Sequence, residues 1–200
     1  MSLLQLSKYA IAYARECVPM KSDNKGYAQG HVKRPSPDEI MKRDFALANL
    51  RKAAYPVQGC KIDAVIHYGR LVQSYGAGNC LEQCAAASVY LSWQLRDNAH
   101  SFRLIYFAPP GDHIFIVLDQ PHGAYPKDFS TWSVTAVICD PWAKIACTAP
   151  EYPQKWTEKM DKWSARNMNV AATGMGRGAS TRPGLYDAPT LYEKKPYTSD

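Results

Sequence analysis

The stretch that decides the fold is GNCLEQCAAASVYLSWQL, residues 78–95. It is rich in Ala and Leu, and Glu82 is its one charged residue. A helix that is apolar on nearly all sides is typical of a buried helix. The preceding residues, 75–79 (YGAGN), indicate a tight turn in which Gly78-Asn79 lets the chain change direction sharply. The stretch therefore predicts a central buried helix that begins at Cys80.

Further helices are predicted on the N-terminal side of this central helix. Residues 3–18 and 61–74 carry apolar side chains at helical spacing. Between them, residues 36–39 (SPDE) combine a capping Ser, a Pro in the first helical position and two acids near the positive helix end. They predict a helix that runs to about residue 54, whereas the polar, Gly-rich residues 21–35 indicate a loop.

The pattern changes after the central helix. Short aromatic and β-branched runs at 102–107 (FRLIYF), 114–118 (IFIVL) and 132–139 (WSVTAVIC) predict three antiparallel strands. Residues 151–168 predict a peripheral helix with two Trp and one Met on one face. We therefore expect the α+β class, with N-terminal helices and the central helix packed on a three- to five-stranded antiparallel sheet.

The expected domain organisation is a single unit with a tail. One domain is predicted over residues 1–170, with a helical part at 1–59 and a core at 60–150. Residues 171–200 are rich in Gly, Thr, Pro and Tyr and indicate an irregular tail.

Composition and charge exclude several classes of protein. Of the 200 residues, 46% are apolar and 21% are charged, which are ordinary globular values. The net charge of +6 is spread along the chain, which does not favour a nucleic-acid partner. No apolar run approaches the length of a membrane span, and the N-terminus lacks the layout of a signal peptide.

The six cysteines are interpreted as thiols, because the chain is long and has no secretory signal. They are Cys17, Cys60, Cys80, Cys84, Cys139 and Cys147. The Cys80–Cys84 spacing is poor for zinc, so neither a metal nor a cofactor is predicted. Cys84 is expected in the core, with a regulatory disulfide to Cys80 as the alternative.

Three residues form the predicted catalytic set. Cys80 opens a helix, where the N–H groups and the helix dipole favour a thiolate. His113 opens a strand, outside the core, and can take the thiol proton. Asp140 closes a later strand before a Pro, and can fix the orientation of the imidazole. An antiparallel turnaround brings the end of the later strand beside the start of the earlier one.

Three segments resemble the signature blocks of the papain-like/transglutaminase-like superfamily. They are GNCLEQCAAAS at 78–88, GDHIFIVL at 111–118 and VICDPWA at 137–143. They are most similar to the bacterial toxin and effector branch, the dermonecrotic-toxin type papain fold. The resemblance implies that Cys80, His113 and Asp140 match the family triad. It also implies cleavage of peptide bonds, or deamidation or transamidation of glutamine side chains.

Other site residues are expected from the same reading. Acyl chemistry needs an oxyanion hole, for which the Cys80 backbone N–H is one donor and Gln73 or Asn79 supplies the second. Trp142 is a candidate wall of the cleft, and Glu82 is another cleft candidate. Both cleft candidates have a purely structural alternative, Trp142 as a packing residue and Glu82 as an ordinary helix residue.

The function expected from the resemblance is that of a bacterial effector that deamidates a glutamine in a target-cell protein. It implies secretion without a cleaved signal peptide and action in the cytosol of the target cell. A secretion chaperone or an immunity protein would be a further partner. The alternatives are a cysteine protease, a transglutaminase, a non-catalytic binding module that docks through its tail, and a metal site of Cys80, Cys84 and His113.

Overall fold

The computed structural model describes residues 1–20, 22–27, 31–54, 61–96, 100–106, 113–121, 128–171 and 180–181. The helices in these ranges are α1 (Leu3–Cys17), α2 (Pro37–Ala54), α3 (Ile62–Tyr75), α4 (Cys80–Gln94) and α5 (Tyr152–Ser164). The strands are β1 (Lys25–Tyr27), β2 (Phe102–Tyr106), β3 (Ile114–Leu118), β4 (Val137–Asp140), β5 (Ile145–Thr148), β6 (Met168–Ala171) and β7 (Ser180–Thr181). The α+β class is thus confirmed, and each predicted helix is present within a few residues of its expected bounds.

The larger sheet has four antiparallel strands in the order β2-β3-β4-β5. Two of the three predicted strands are confirmed, and the third begins at Val137 because a 3-10 turn and a bend occupy residues 129–136. Strand β5 was not predicted. It follows a turn of only four residues, 141–144, in which Lys144 has a left-handed φ of 60°.

A second sheet of order β1-β6-β7 was also not predicted. Its strand β1 lies inside the predicted loop. The polar, Gly-rich residues there do not indicate a strand, because β1 forms only by pairing with β6, far along the chain. Strands β6 and β7 lie in or beside the predicted tail. The rest of the tail, residues 172–179 and 182–200, lies outside the described residues, as do Cys60 and residue 107.

The two faces of the four-stranded sheet are covered by different kinds of side chain. Alternate residues of a strand point to opposite faces. One face packs on α1 and α4, which α3 covers in turn, and forms what we call the helical core; its buried sheet members are Leu104, Ile114, Ile116, Leu118 and Cys139. The other face forms the aromatic core, whose rings are Phe115, Phe129, Trp132, Trp142, Tyr152, Trp156 and Trp163.

Helix α4 is the central buried helix that the sequence predicts. Ten of its fifteen residues are buried, and it packs against both α1 and α3. The contact with α3 is so close that a Cβ on Gly69 would lie 2.1 Å from the backbone oxygen of Ala85. Any side chain at position 69 would therefore push the two helices apart.

Among the helices of the described ranges, none is both long enough and apolar enough to cross a membrane.

Candidate active site

The start of α4 is fixed by a buried carboxylate. Glu82 is completely buried, and its Oε2 accepts a hydrogen bond of 2.8 Å from the backbone N–H of Asn79, which directly precedes the helix. Its Oε1 accepts from Arg51 Nε at 2.9 Å and from the Tyr68 hydroxyl at 3.0 Å. The Glu82 side chain thus holds the helix start in place from the interior, and the structure does not place it at a cleft.

Two glycines shape the turn before α4, for different reasons. Gly76 ends α3 with a left-handed φ of 68°, which Gly adopts at little cost. Gly78 provides space, because a Cβ there would lie 2.3 Å from the Cβ of Glu82. The left-handed residue of this turn is therefore Gly76, two residues before the Gly78-Asn79 pair at which the sharp change of direction is expected.

Cys80 is the most accessible cysteine among the described residues. It is half-buried, whereas Cys17, Cys84, Cys139 and Cys147 are buried. It packs against both the helical core and the aromatic core, so it lies where the two meet. Cys80 is thus a partly exposed residue at the boundary between the two cores.

The contact between α4 and β3 lies at the second turn of the helix and at the first residue of the strand. The Cys84 thiol donates to the backbone oxygen of Ile114 over 3.4 Å. Cys80 lies one helical turn before Cys84, and His113 lies directly before Ile114. Burial raises the pKa of Cys84 well above its usual value, which keeps this thiol protonated. The expectation that Cys84 is a core residue is confirmed.

His113 and Asp140 form a buried pair. His113 Nε2 lies 2.9 Å from Asp140 Oδ2, across the two adjacent strands β3 and β4. Asp140 is completely buried and also accepts from the Tyr152 hydroxyl at 2.8 Å and from the Ala143 backbone N–H at 2.9 Å. Burial raises the pKa of Asp140, but the charge of His113 and the three hydrogen bonds outweigh it and lower the pKa below its ordinary value.

The imidazole is enclosed by two indole rings. The ring centroids of Trp142 and Trp156 lie 4.9 Å and 4.8 Å from that of His113. Only 4% of His113 is exposed, so the expectation that it lies outside the core is wrong. The strand-end position is right, but the helix α5, which carries Trp156, covers that end of the sheet. The helical spacing of the Trp residues predicted their shared face but not that His113 lies against it.

Neither predicted side-chain donor is seen pointing into an oxyanion hole. Gln73 is exposed on α3, whose packed side carries Val65, Tyr68 and Val72. Asn79 is half-buried next to Cys80, and its Oδ1 accepts from the Asp23 backbone N–H at 3.2 Å. Of the two, Asn79 is the one that stands beside the thiol.

A segment that the sequence did not single out lies against the site. We call residues 22–25 the strap. Asn24 Oδ1 accepts from Trp142 Nε1 at 2.9 Å, and Lys25 Nζ donates to the backbone oxygen of Trp142. Trp142 is therefore bound by the strap through its indole N–H and its backbone oxygen, and its ring packs on His113. This supports its assignment as a residue of the site and also makes it part of the core.

No three His, Cys, Asp or Glu residues within the described ranges are grouped so that they could hold a metal ion. The alternative of a metal site at Cys80, Cys84 and His113 thus gains no support, since Cys84 is engaged with a backbone oxygen.

The sequence of the chain matches no protein-family model and no curated protein.

Proposed function

We propose that this chain is a thiol hydrolase of the papain-like/transglutaminase-like kind, with Cys80 as nucleophile, His113 as acid and base, and Asp140 as the residue that orients His113. Its proposed substrate is a glutamine side chain of a target-cell protein. The observation that carries the proposal is the buried His113–Asp140 hydrogen bond at the end of the sheet that α4 contacts through Cys84, one helical turn after Cys80.

The hydrogen bond assigns a role to each imidazole nitrogen. Asp140 stays ionised because its pKa is lowered, so the proton in the bond must be on His113 Nε2. A neutral imidazole has a single N–H, and Nδ1 is then the basic nitrogen. Proton transfer with the Cys80 thiol is therefore assigned to Nδ1, while Asp140 stabilises the imidazolium that forms.

The first half-reaction breaks the carbon–nitrogen bond of the amide. The Cys80 thiol gives its proton to His113, and the sulfur attacks the carboxamide carbon. The tetrahedral intermediate places a negative charge on oxygen, near the backbone N–H of Cys80 at the helix start. His113 returns the proton to the nitrogen, ammonia leaves, and a thioester remains on Cys80.

The second half-reaction releases the enzyme. His113 takes a proton from a water molecule, whose oxygen attacks the thioester carbon. The carbon–sulfur bond breaks, the sulfur recovers the proton, and the glutamine has become a glutamate. The half-buried position of Cys80 fits this sequence of steps, because the thiol must meet both a substrate and water.

The preference for a side-chain amide over a peptide bond rests on the resemblance of the three sequence blocks to the toxin and effector branch. The same resemblance underlies the proposed action in a target cell, after secretion without a cleaved signal peptide, and the proposed chaperone or immunity partner. A cysteine protease and a transglutaminase share the first half-reaction and differ in what leaves and what attacks next.

The test is mass spectrometry of N-blocked glutamine peptides and of a protein extract from candidate target cells, after incubation with the full chain. Deamidation leaves an intact chain with acid in place of amide and releases ammonia. We expect this product with the wild type and none with Cys80→Ala or His113→Ala. The matched control is His100→Ala, because His100 also pairs with a carboxylate, Asp119, but in an exposed position.

Other products would identify a different activity at the same site. Fragments would identify a protease, and incorporation of a labelled amine would identify a transglutaminase. A biological effect that persists in Cys80→Ala would identify a binding module and contradict the proposed chemistry.

A further inference from the structure

The strap, residues 22–25, connects the two sides of the candidate site, and this inference about it rests on the function proposed above. At one end it is bound to the residues that precede Cys80. The Ser22 hydroxyl donates to the Gly78 oxygen at 3.1 Å, and the Asp23 backbone N–H donates to Asn79 Oδ1. Gln83 Nε2 in turn donates to the Ser22 hydroxyl oxygen at 2.9 Å.

At its other end the strap is bound to the His113 side. Asn24 and Lys25 hold Trp142 through its indole N–H and its backbone oxygen. The Lys25 amine also lies 4.4 Å from the ring centroid of Trp142 and 5.0 Å from that of Trp163. Both distances are within the range of a cation–π contact. Strand pairing of Lys25 with Val170 fixes the backbone at this point.

The charged and titratable groups that act on the Lys25 amine come from several elements. Asp140 on β4 and Cys80 on α4 favour its positive charge, whereas Arg15 on α1 and Lys144 in the β4–β5 turn oppose it. The two groups that favour the charge are the proposed orienter and the proposed nucleophile. The amine that the strap holds against Trp142 is thus within the electrostatic influence of both groups.

We propose that Lys25 is a positioning residue of the thiol site. The strap holds its amine under Trp142, so that its positive charge favours the Cys80 thiolate while its hydrogen bond keeps Trp142 packed on His113. A positive charge near a thiolate stabilises it in the same way as an imidazolium does.

The charge on this amine depends on pH in the neutral range. Burial lowers the pKa of Lys25 to about 7, against the opposing attraction of Asp140 and Cys80. Lys25 is therefore an ammonium below about pH 7 and a neutral amine above it. The help that it gives to the thiolate is present at acidic to neutral pH and fades at alkaline pH.

The experiment measures the rate of Cys80 alkylation by iodoacetamide from pH 5 to pH 9 in the full chain, for wild type, Lys25→Met and Lys25→Arg. We expect Lys25→Met to lower the rate at acidic pH about tenfold and to move the midpoint upward, while both profiles converge at alkaline pH. Lys25→Arg keeps its charge throughout, so we expect a rate like that of the wild type at acidic pH.

The outcomes separate this inference from the proposed function. If Lys25→Met has the wild-type profile, or loses the same factor at every pH, Lys25 has a structural role only and the inference is overturned. If Lys25→Met does not fold, the Lys25→Arg profile decides, and a rate that falls at acidic pH counts against the inference. If wild type and His113→Ala both alkylate as an ordinary thiol does, the proposed function itself fails.

Discussion

Helices α2 and α4 begin with the same local device in opposite surroundings. At the start of α2, the Ser36 N–H donates to Glu39 Oε2 at 2.7 Å, and the Glu39 N–H donates to the Ser36 hydroxyl oxygen at 3.3 Å. At the start of α4, the Asn79 N–H donates to Glu82 at 2.8 Å. The first carboxylate is exposed to solvent, whereas the second is completely buried.

The difference shows that the same helix-capping arrangement can be a solvated surface feature or part of a candidate site, depending on the side chains packed around it. The residues at the start of α2 face water. At the start of α4, Arg51 and Tyr68 donate hydrogen bonds to the Glu82 carboxylate, and the strap donates one to the Asn79 side chain. A cysteine in the first position of such a helix gains a fixed position as well as the helix dipole.

The largest expected effect concerns Asp140, which holds His113 at the end of the sheet that α4 contacts. Asp140→Asn leaves the shape of the site but lets the amide donate to His113 Nε2, which favours the wrong tautomer. We expect glutamine turnover to fall about a thousandfold, measured as ammonia release from an N-blocked glutamine peptide. The control is Asp119→Asn at the exposed pair with His100, which should leave turnover unchanged.

The second prediction compares the two capping carboxylates. Glu82→Ala removes a carboxylate that accepts from the buried Tyr68 hydroxyl and pairs with the 39% exposed Arg51 side chain, so we expect a loss of about 3 kcal/mol in the free energy of unfolding. Glu39→Ala removes an exposed cap and should cost about 1 kcal/mol or less. Urea unfolding measures both, and equal losses would contradict the comparison.

The third prediction places a thiol at both helix starts. Pro37→Cys in a Cys80→Ala background puts a cysteine in the first position of α2, where the dipole acts without a histidine. We expect its alkylation at pH 6.5 to be at least about tenfold slower than that of Cys80 in the wild type. Comparable rates would mean that the helix start alone activates the thiol.

The smallest effect concerns acid stability. The pKa of Asp140 is lower in the folded chain than in the unfolded chain, where it is about 3.9. Its ionisation therefore stabilises the fold above about pH 4, and this contribution is lost as pH falls through the folded pKa. We expect the difference in unfolding free energy between wild type and Asp140→Asn to shrink on acidification, as measured by urea unfolding at pH 3 and pH 7.

Much of the fold is readable from local patterns. The uniform apolar character of residues 80–95 predicted α4, and short aromatic and β-branched runs predicted β2 and β3, because the composition of each segment indicates that it is buried. Strand β1 could not be predicted in this way, since its three residues gain a partner only when β6 lies beside them.

The site was predictable only in part, for the same physical reason. His113 and Asp140 lie at strand ends whose order is visible in the sequence, and the structure brings them within 2.9 Å. The direction of the Glu82 side chain depends on Arg51 and Tyr68, which lie on two other helices and donate hydrogen bonds to its carboxylate. Lys25 and Trp142 are more than a hundred residues apart in the sequence, and a single Lys in a polar segment does not indicate that the two are in contact.

The pH dependence of Cys80 alkylation in wild type and in His113→Ala tests the central claim most directly. If the imidazole held by Asp140 activates the thiol, the wild-type midpoint lies at least about one unit below the ordinary cysteine value of about 8.5, and His113→Ala moves it back toward that value. The same midpoint in both proteins, at or above the ordinary value, would contradict the account.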